Sequence, residues 1–422
     1  MSDSTTAASA STVPVPTRSW VLLGFVAVAA VLFVVDRQVL SLLKTTLGTE
    51  LGITDTQYGW LITAFMVPYT VMYLFTGTWV DRWGTRKMSL ICIGTMSLAT
   101  IFTGLSTSFH HLLIWRVVLG VAEAGIIPLS ILFVVNWFPK ERRATAVSVK
   151  SPIGALGQMA APPLVAFITL TISWHYAFFI PGVIGVGVAI AWWFLDRNPP
   201  DYGEPPLLTK SPGLLGLLKM RAIWPLLGVR LLSDPFWFFL LYWHAAFLQE
   251  QLGFSLEQIG KWAWIPPACG SLCNLGVGLF SDWLVKRGYS LNRARSLPLL
   301  LAAGLAPLAW LLPFSINPAM AIVLLSGLYL MCSSWLFLTN VFVADLVPRN
   351  AVATGVGLLS AMGGATAALF NLVAGSLVGQ FGYTPILIGG ALLHPAAAFV
   401  FWRAYGGGRG QTAQAVPVPA SS

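Results

Sequence analysis

The sequence predicts an all-α membrane protein: twelve transmembrane helices in two six-helix bundles related by pseudo-symmetry. Three observations carry that prediction. First, 56% of the 422 residues are hydrophobic and only 9% are charged, whereas a soluble domain carries about 25% charge to solvate its surface. Second, the apolar residues gather in long runs. A spanning helix takes about 20 residues, so twelve need roughly 250 positions; 56% of 422 supplies about 236 before glycine is counted. Third, two motifs recur at similar offsets, so the second half repeats the first. With a mean hydropathy of +0.77, a multidomain soluble enzyme and a disordered chain are both excluded.

Residues Met1 to Thr17 are polar and lack a basic n-region. The apolar stretch behind them is longer than a signal core, so the first helix is expected to be retained. Apolar runs then place spans at 20–43, 58–80, 88–107, 110–136, 144–170, 174–196, 222–249, 257–281, 296–313, 318–345, 350–380 and 383–404. The connection 197–221 holds Asn198-Pro199-Pro200, Pro205-Pro206 and Ser211-Pro212-Gly213, which break helices. The expected organisation is a disordered cytoplasmic tail at 1–19, a first bundle at 20–196, a cytoplasmic linker at 197–221, a second bundle at 222–404 and a disordered tail at 405–422.

Charge sets the orientation. Of the 24 Lys and Arg, 18 fall on the side shared by both termini, two (Lys44, Lys261) in or near loops of the other side, and four inside spans. Positive loops stay in the cytoplasm, so both termini are expected there, in a multi-pass protein of the inner membrane. The pI near 9.6 does not point to nucleic acid, because the basic residues sit in short loops and form no continuous patch. Cys92, Cys269, Cys273 and Cys332 all lie in apolar stretches without a C-x-x-C, against a disulfide framework or thiolate metal site. The chain carries no G-x-x-x-x-G-K-[ST], H-E-x-x-H or G-x-S-x-G. No cofactor or metal is expected, no enzyme chemistry, and no energy source except an ion gradient.

The repeat is specific. Gly77-x-x-x-Asp81-Arg82-x-Gly84-x-Arg86-Lys87 follows span two, and Gly278-x-x-x-Asp282 with Lys286-Arg287 follows span eight, 201 residues on. Asn136-x-x-Pro139-Lys140 ends span four, and Asp345-x-x-Pro348-Arg349 ends span ten, 209 residues on. Two parallel repeats imply a pseudo-two-fold axis along the membrane normal and a site at the interface. These residues resemble the major facilitator superfamily, whose cytoplasmic loop signature between helices two and three the first run matches almost fully. A tight glycine turn sets Asp81 beside a helix N-terminus, where a carboxylate is favoured. Gly77, Asp81, Arg82, Gly84, Arg86 and Lys87, with Asp282 in the second half, therefore read as a gating latch.

A narrower resemblance is to the anion:cation symporter family, and within it the hexuronate transporters. It rests on Asp36-Arg37, Arg116-x-x-Leu119-Gly120-x-x-Glu123-Ala124-Gly125-x-x-Pro128, Trp137-Phe138-Pro139-x-Glu141-Arg142, Asp234-Pro235-x-Trp237, the run Lys286 to Arg295, and Tyr383-Thr384-Pro385. It runs from about residue 20 to 404. It implies a secondary transporter that imports an organic anion with protons by alternating access, the anion being a sugar acid such as a hexuronate or aldonate. Other carboxylates, aromatic or dicarboxylic, and a drug exporter are the alternatives. Partners would be the small anion, protons and the bilayer, with the chain acting as a monomer.

Charges inside a bilayer are costly and so mark function by default. The sequence places seven there: Asp36, Arg37, Arg116, Glu123, Lys150, Arg230 and Asp234. Neighbouring helix positions differ by about 100°, so at most one of Asp36 and Arg37 points straight into a cavity. Arg37 can grip a carboxylate through a bidentate fork, and the resemblance implies that it contacts the anion while Asp36 titrates. A structural ion pair is the other reading. Arg116 and Glu123, seven apart, share one face about 10 Å apart. A carboxylate that alternates between an apolar surround and a guanidinium neighbour can load and release a proton. The resemblance makes Glu123 a coupling residue; a buried structural carboxylate is the other reading. Lys150 either lines the cavity or snorkels, and Arg230 and Asp234, at i,i+4, can neutralise each other.

Among neutral groups, Tyr69 matches a substrate-contacting tyrosine of the family. Trp335 and Asn371 fall where the family presents an aromatic and an amide to sugar acids. Gln158, Ser334 and Asn340 are further polar candidates. Val34 stands where many members carry a Tyr, which removes a hydroxyl near Arg37. Tyr73 replaces a frequent Gln, and His175-Tyr176 the usual Arg-Trp.

Overall fold

The computed structural model describes residues 15–197, 199–200, 213–347 and 351–406; the side chains of 81, 140, 141, 144, 151 and 353 are outside that description. Both expected tails, most of the linker and the Pro348-Arg349 pair therefore fall largely or wholly outside it. The described chain forms twelve helices long and apolar enough to span a membrane. In order they are Thr17–Leu42, Asp55–Val80, Arg82–Gly104, Phe109–Trp137, Thr145–Thr171, Trp174–Leu195, Arg221–Glu250, Leu256–Lys286, Leu291–Phe314, Pro318–Leu346, Thr354–Phe381 and Thr384–Tyr405, called spans one to twelve below. Span three begins at Arg82 rather than 88, span eight runs to Lys286 rather than 281, and span nine starts at Leu291 rather than 296. A hydropathy reading stops at the first charge, whereas these helices take in Arg86, Lys286 and Arg293.

The repeat extends to the helix caps. Thr54 opens span two with a capping box: the Gln57 N–H donates to Thr54 Oγ1 at 3.2 Å, and the Thr54 N–H to Gln57 Oε1 at 3.0 Å. Ser255 and Gln258 do the same before span eight. Ser255 lies 201 residues after Thr54, the offset of Asp81 and Asp282. Ser108 caps span four and Asn317 caps span ten, 209 apart, which is the second offset. A cap supplies an acceptor to otherwise orphaned N–H groups, so each half starts its helices with the same device.

Spans two and three run as one long helix except at Gly84, whose φ of 74° lies in the left-handed region. Only glycine adopts it without penalty, and the chain reverses there. The two halves come into close contact at the end opposite the termini. A Cβ on Gly59 of span two would stand 2.9 Å from the Asn371 carbonyl of span eleven, and one on Gly375 2.7 Å from the Asp55 carbonyl. Helices in lipid pack through such small residues because burial gives no hydrophobic gain there. Beside this seam, Lys44 pairs with Asp55 and, at 2.6 Å, with Glu250 of span seven. Tyr383 donates to the same Glu250 at 2.7 Å. Large apolar side chains such as Phe167, Leu272, Val323 and Phe399 stay more than half exposed, a belt suited to hydrocarbon.

Candidate functional site

Span one places its two charges on different neighbours. Asp36 turns to span three and accepts from Thr100 Oγ1 at 2.8 Å. Arg37 turns to span four, where its Nε donates to Glu123 Oε2 at 3.0 Å. Both side chains are buried, and Glu123 has no exposed surface. The Arg37 guanidinium also lies over three rings: Phe33 at 4.1 Å, Tyr69 at 4.6 Å and Phe65 at 5.0 Å from their centroids. Phe65, Tyr69 and Tyr73 repeat every four residues along span two, with successive rings 5.7 Å apart. The cation is held by an aromatic wall on one side and a carboxylate on the other.

Arg116 sits two turns before Glu123 on span four, buried, with its guanidinium 6.0 Å from the Phe65 ring. It lies within electrostatic reach of Glu123, Asp36, Tyr58 and Tyr242. The cluster is not saturated. Asp36 Oδ1, Arg37 Nη2, Arg116 Nε and Nη2, and Glu123 Oε1 are buried without a hydrogen-bond partner. A buried polar group left unpaired costs about 1–3 kcal/mol, more if charged. Such a set can take up a ligand or a proton. Just past Glu123 the helix breaks at Ala124, and the carbonyl freed there accepts from Thr76 Oγ1 of span two at 3.0 Å.

The other expected residues divide. Tyr69 stands at Arg37. Lys150 donates to Ser130 Oγ of span four, inside the first half and below Phe33. Gln158 reaches across to Ser271 of span eight at 3.5 Å. Trp335 is fully buried and packs edge-on against His394 and Phe401 of span twelve, within the second half. Asn371 is also fully buried, accepts from Trp243 Nε1 at 3.0 Å and donates to the Ala367 carbonyl at 2.8 Å. Both its polar atoms are engaged at the inter-half seam. Asn340 and Thr339 each receive a long 3.4 Å contact from Arg230, which pairs with Asp234 at 2.7 Å. Ser334 donates to the Leu330 carbonyl of its own helix.

Around the latch, Arg86 donates to the Trp193 carbonyl at 2.8 Å and lies 4.1 Å over its ring. Arg82 and Lys87 are exposed, Gly77 and Gly84 have open space at Cβ, and the Asp81 side chain lies outside the description. In the second half Arg295 bridges Asp282 at 3.0 Å and Asp345 at 3.2 Å. Among the described residues no group of three His, Cys, Asp or Glu is placed to hold a metal ion.

Sequence reasoning missed two things. One is Tyr242, the second half's contribution: its buried hydroxyl has no partner and lies in electrostatic reach of Arg37, Arg116 and Glu123. Its backbone carbonyl accepts from Tyr58 at 2.7 Å. It stands in an aromatic run from Phe236 to Trp243 with nothing local to single it out. The other is the Lys44–Asp55–Glu250–Tyr383 seam. Its sequence signal was a Lys on the face poor in positive charge.

A family model described as Major Facilitator Superfamily matches residues 26–341. The hexuronate transporter of Escherichia coli (strain K12) is 29% identical over 412 residues, covering 91% of this chain and 93% of the relative. The D-galactonate transporter of Escherichia coli O6:H1 is 27% identical over 397 residues, covering 88% and 92%. Among solved structures, a bacterial homolog to the human lysosomal transporter Spinster, inward-facing and occupied, superposes with a TM-score of 0.76 at 20% identity, over 93% of this chain and 97% of that one.

Proposed function

The chain belongs to the Major Facilitator Superfamily, and on that premise we propose that it imports a small organic anion together with protons. It is a multi-pass membrane transporter and not an enzyme; the substrate, the coupling ion and the direction are the proposal. The observation that carries it is the buried Arg37–Glu123 pair at 3.0 Å, walled by three aromatic rings, beside partnerless atoms of Asp36 and Arg116. The entering anion takes the guanidinium of Arg37 through a bidentate contact. Glu123 is then a buried carboxylate without its cation, a state too costly to keep ionised, so it takes a proton. Asp36, next to Arg37, is the second group able to do so. Substrate and proton therefore load together and leave together, because Glu123 re-forms its bond to Arg37 only after the anion has gone.

Tyr69 is assigned to the substrate wall and Arg116 to setting the charge balance of Glu123. The end that carries the termini is assigned to the cytoplasm, on the excess of 18 over two basic residues. The loop Gly77 to Lys87, with Asp282 in the other half, is read as the latch of that end, and the Lys44 seam as its counterpart. The halves, near 20–196 and 222–404, rock about the site. The two relatives named for sugar acids make a hexuronate or aldonate the first substrate class to try. Purified protein in liposomes, given an inward proton gradient, should accumulate labelled glucuronate or galactonate and take up protons with it. Uptake that ignores the gradient would remove the coupling, and no uptake or binding of any carboxylate would remove the anion site.

A further inference from the structure

One residue of span seven touches both the charged cluster of the first half and the seam at the end opposite the termini. Tyr242 lies eight residues before Glu250, about 12 Å along the helix from the seam. Its backbone is held by the other half: the Tyr58 hydroxyl of span two donates to the Tyr242 carbonyl at 2.7 Å. The Tyr58 ring stands edge-on to Trp243, with centroids 4.9 Å apart, and the Trp243 indole donates to Asn371 of span eleven at 3.0 Å. Lys44 lies 5.9 Å from the Tyr58 ring and 5.2 Å from the Trp243 ring. Closing the seam therefore fixes the backbone from which the Tyr242 side chain springs.

The Tyr242 hydroxyl is buried, has no hydrogen-bond partner and lies in electrostatic reach of Arg37, Arg116 and Glu123. Arg116 feels it more strongly than it feels Tyr58, Glu123 or Asp36. Arg116 Nε and Nη2 and Glu123 Oε1 also lack partners. A tyrosine hydroxyl has one hydrogen to give and lone pairs to receive. It can accept from the guanidinium and donate to the carboxylate at once, directly or through a bridging water. The other groups around Glu123 all belong to the first half. Span one brings Asp36 and Arg37, and span four itself brings Arg116. Span two brings Tyr69 to Arg37, span three brings the neutral Thr100 to Asp36, and Lys150 of span five meets span four at Ser130, two turns beyond Glu123.

We propose that Tyr242 carries closure of the seam to the proton site. With the seam shut, its hydroxyl accepts from Arg116 and donates to Glu123 Oε1, and the coupling proton is released toward the end that carries the termini. The inference rests on the reading of Glu123 as the proton carrier. A hydrogen bond given to an ionised carboxylate favours that form. The O–H bond of neutral Glu123 breaks, its proton passes to water on the side of the termini, and the carboxylate is received by Arg37 and the Tyr242 hydroxyl. When the seam opens, Tyr58 lets go and span seven takes Tyr242 away with the second half. Glu123 then holds a proton more readily. The carboxylate thus binds its proton more tightly facing outward than inward, the asymmetry that proton-driven import requires.

The test uses the full chain in liposomes and the initial uptake of labelled glucuronate or galactonate. Tyr242→Phe removes the hydroxyl but keeps the ring and the carbonyl that Tyr58 holds, so the seam closes as before. Internal pH is varied at fixed external pH, then external pH at fixed internal pH. Wild type should slow as the interior is acidified, because Glu123 must give up its proton there. In Tyr242→Phe that fall should begin at higher internal pH, with the midpoint raised by about one unit, a tenfold gain in proton affinity. Its dependence on external pH and its counterflow should match wild type, since neither requires the proton to leave inside. A packing role for Tyr242 would alter counterflow and both pH profiles alike, and that result would overturn the inference. So would an unmoved or lowered internal midpoint. Should Tyr242→Phe fail to fold, Tyr58→Phe loosens the tether and should raise the internal midpoint by a smaller amount; no rise there would equally overturn it. Wild-type uptake that ignores pH would remove proton coupling and this inference together, whereas a coupled wild type with an unmoved variant removes Tyr242 alone.

Discussion

The molecule buries two arginine–carboxylate pairs, and they are built differently. In the second half Arg230 and Asp234 face each other one helical turn apart at 2.7 Å. Ser233, Thr339 and Asn340 take the remaining contacts, and no atom of the pair is left without a partner. In the first half Arg37 and Glu123 come from two helices, and with Asp36 and Arg116 they keep five buried polar atoms unpaired. A pair within one helix cannot separate when helices move. A pair between helices can. The difference teaches that burial of charge alone does not single out a candidate site; what singles out the first-half cluster is a bond that can open and polar atoms with nothing yet to hold.

Breaking the sealed pair gives the largest effect. Arg230→Met leaves Asp234 buried without a cation and should cost about 3–5 kcal/mol of stability. The double variant Arg230→Met with Asp234→Leu should recover most of that, since apolar side chains of similar volume replace such pairs at little cost. Denaturation in detergent measures both, and a double variant as unstable as the single one would mean the pair is more than a neutralised charge. Arg37→Lys comes next. It keeps the charge and loses the fork, and charge-assisted hydrogen bonds are worth about 1.5–3 kcal/mol each, so uptake should fall roughly 10- to 100-fold in a protein that still inserts. Near-normal uptake would take Arg37 out of the substrate contact. Smallest is a change at the seam. Gly59→Ala pushes a methyl within 2.9 Å of the Asn371 carbonyl, so closure of that end should be hindered and turnover slowed several-fold, with ligand affinity kept. Weakened affinity at unchanged turnover would place the seam in the binding site instead.

The twelve helices were legible because hydropathy reports the solvent directly: lipid leaves no alternative to a run of apolar residues. Their ends were less so where charged residues such as Lys286 and Arg293 prolong a helix into water. The charged members of the candidate site were legible as buried charges for the same reason, since each is conspicuous in an apolar run. Which charge meets which was not. Asp36 finds Thr100 and Arg37 finds Glu123 through helix rotation and crossing, and neither is written in spacing along one helix. Neutral residues fared worst. Trp335 packs against His394 and Phe401, contacts that could not be read ahead because an aromatic residue in a membrane helix carries no local sign of which way it faces. Tyr242 went unnoticed for the same reason. The repeated caps at Thr54 and Ser255 were legible and overlooked: both obey the capping-box pattern at the spacing already seen in the loops.

The central claim is that Glu123 carries the coupling proton because Arg37 can let go of it. Glu123→Gln keeps size and hydrogen bonding and removes the titrating group. A difference of one pH unit is worth 1.36 kcal/mol per proton, so wild type in liposomes should concentrate substrate about tenfold for each proton carried, plus any electrical contribution. The decisive measurement compares pH-driven accumulation with counterflow of labelled substrate in Glu123→Gln. The account predicts that accumulation is lost while counterflow continues. Undiminished accumulation would contradict it and pass the coupling role to Asp36, and loss of both in a well-folded variant would show that Glu123 serves binding or movement rather than the proton.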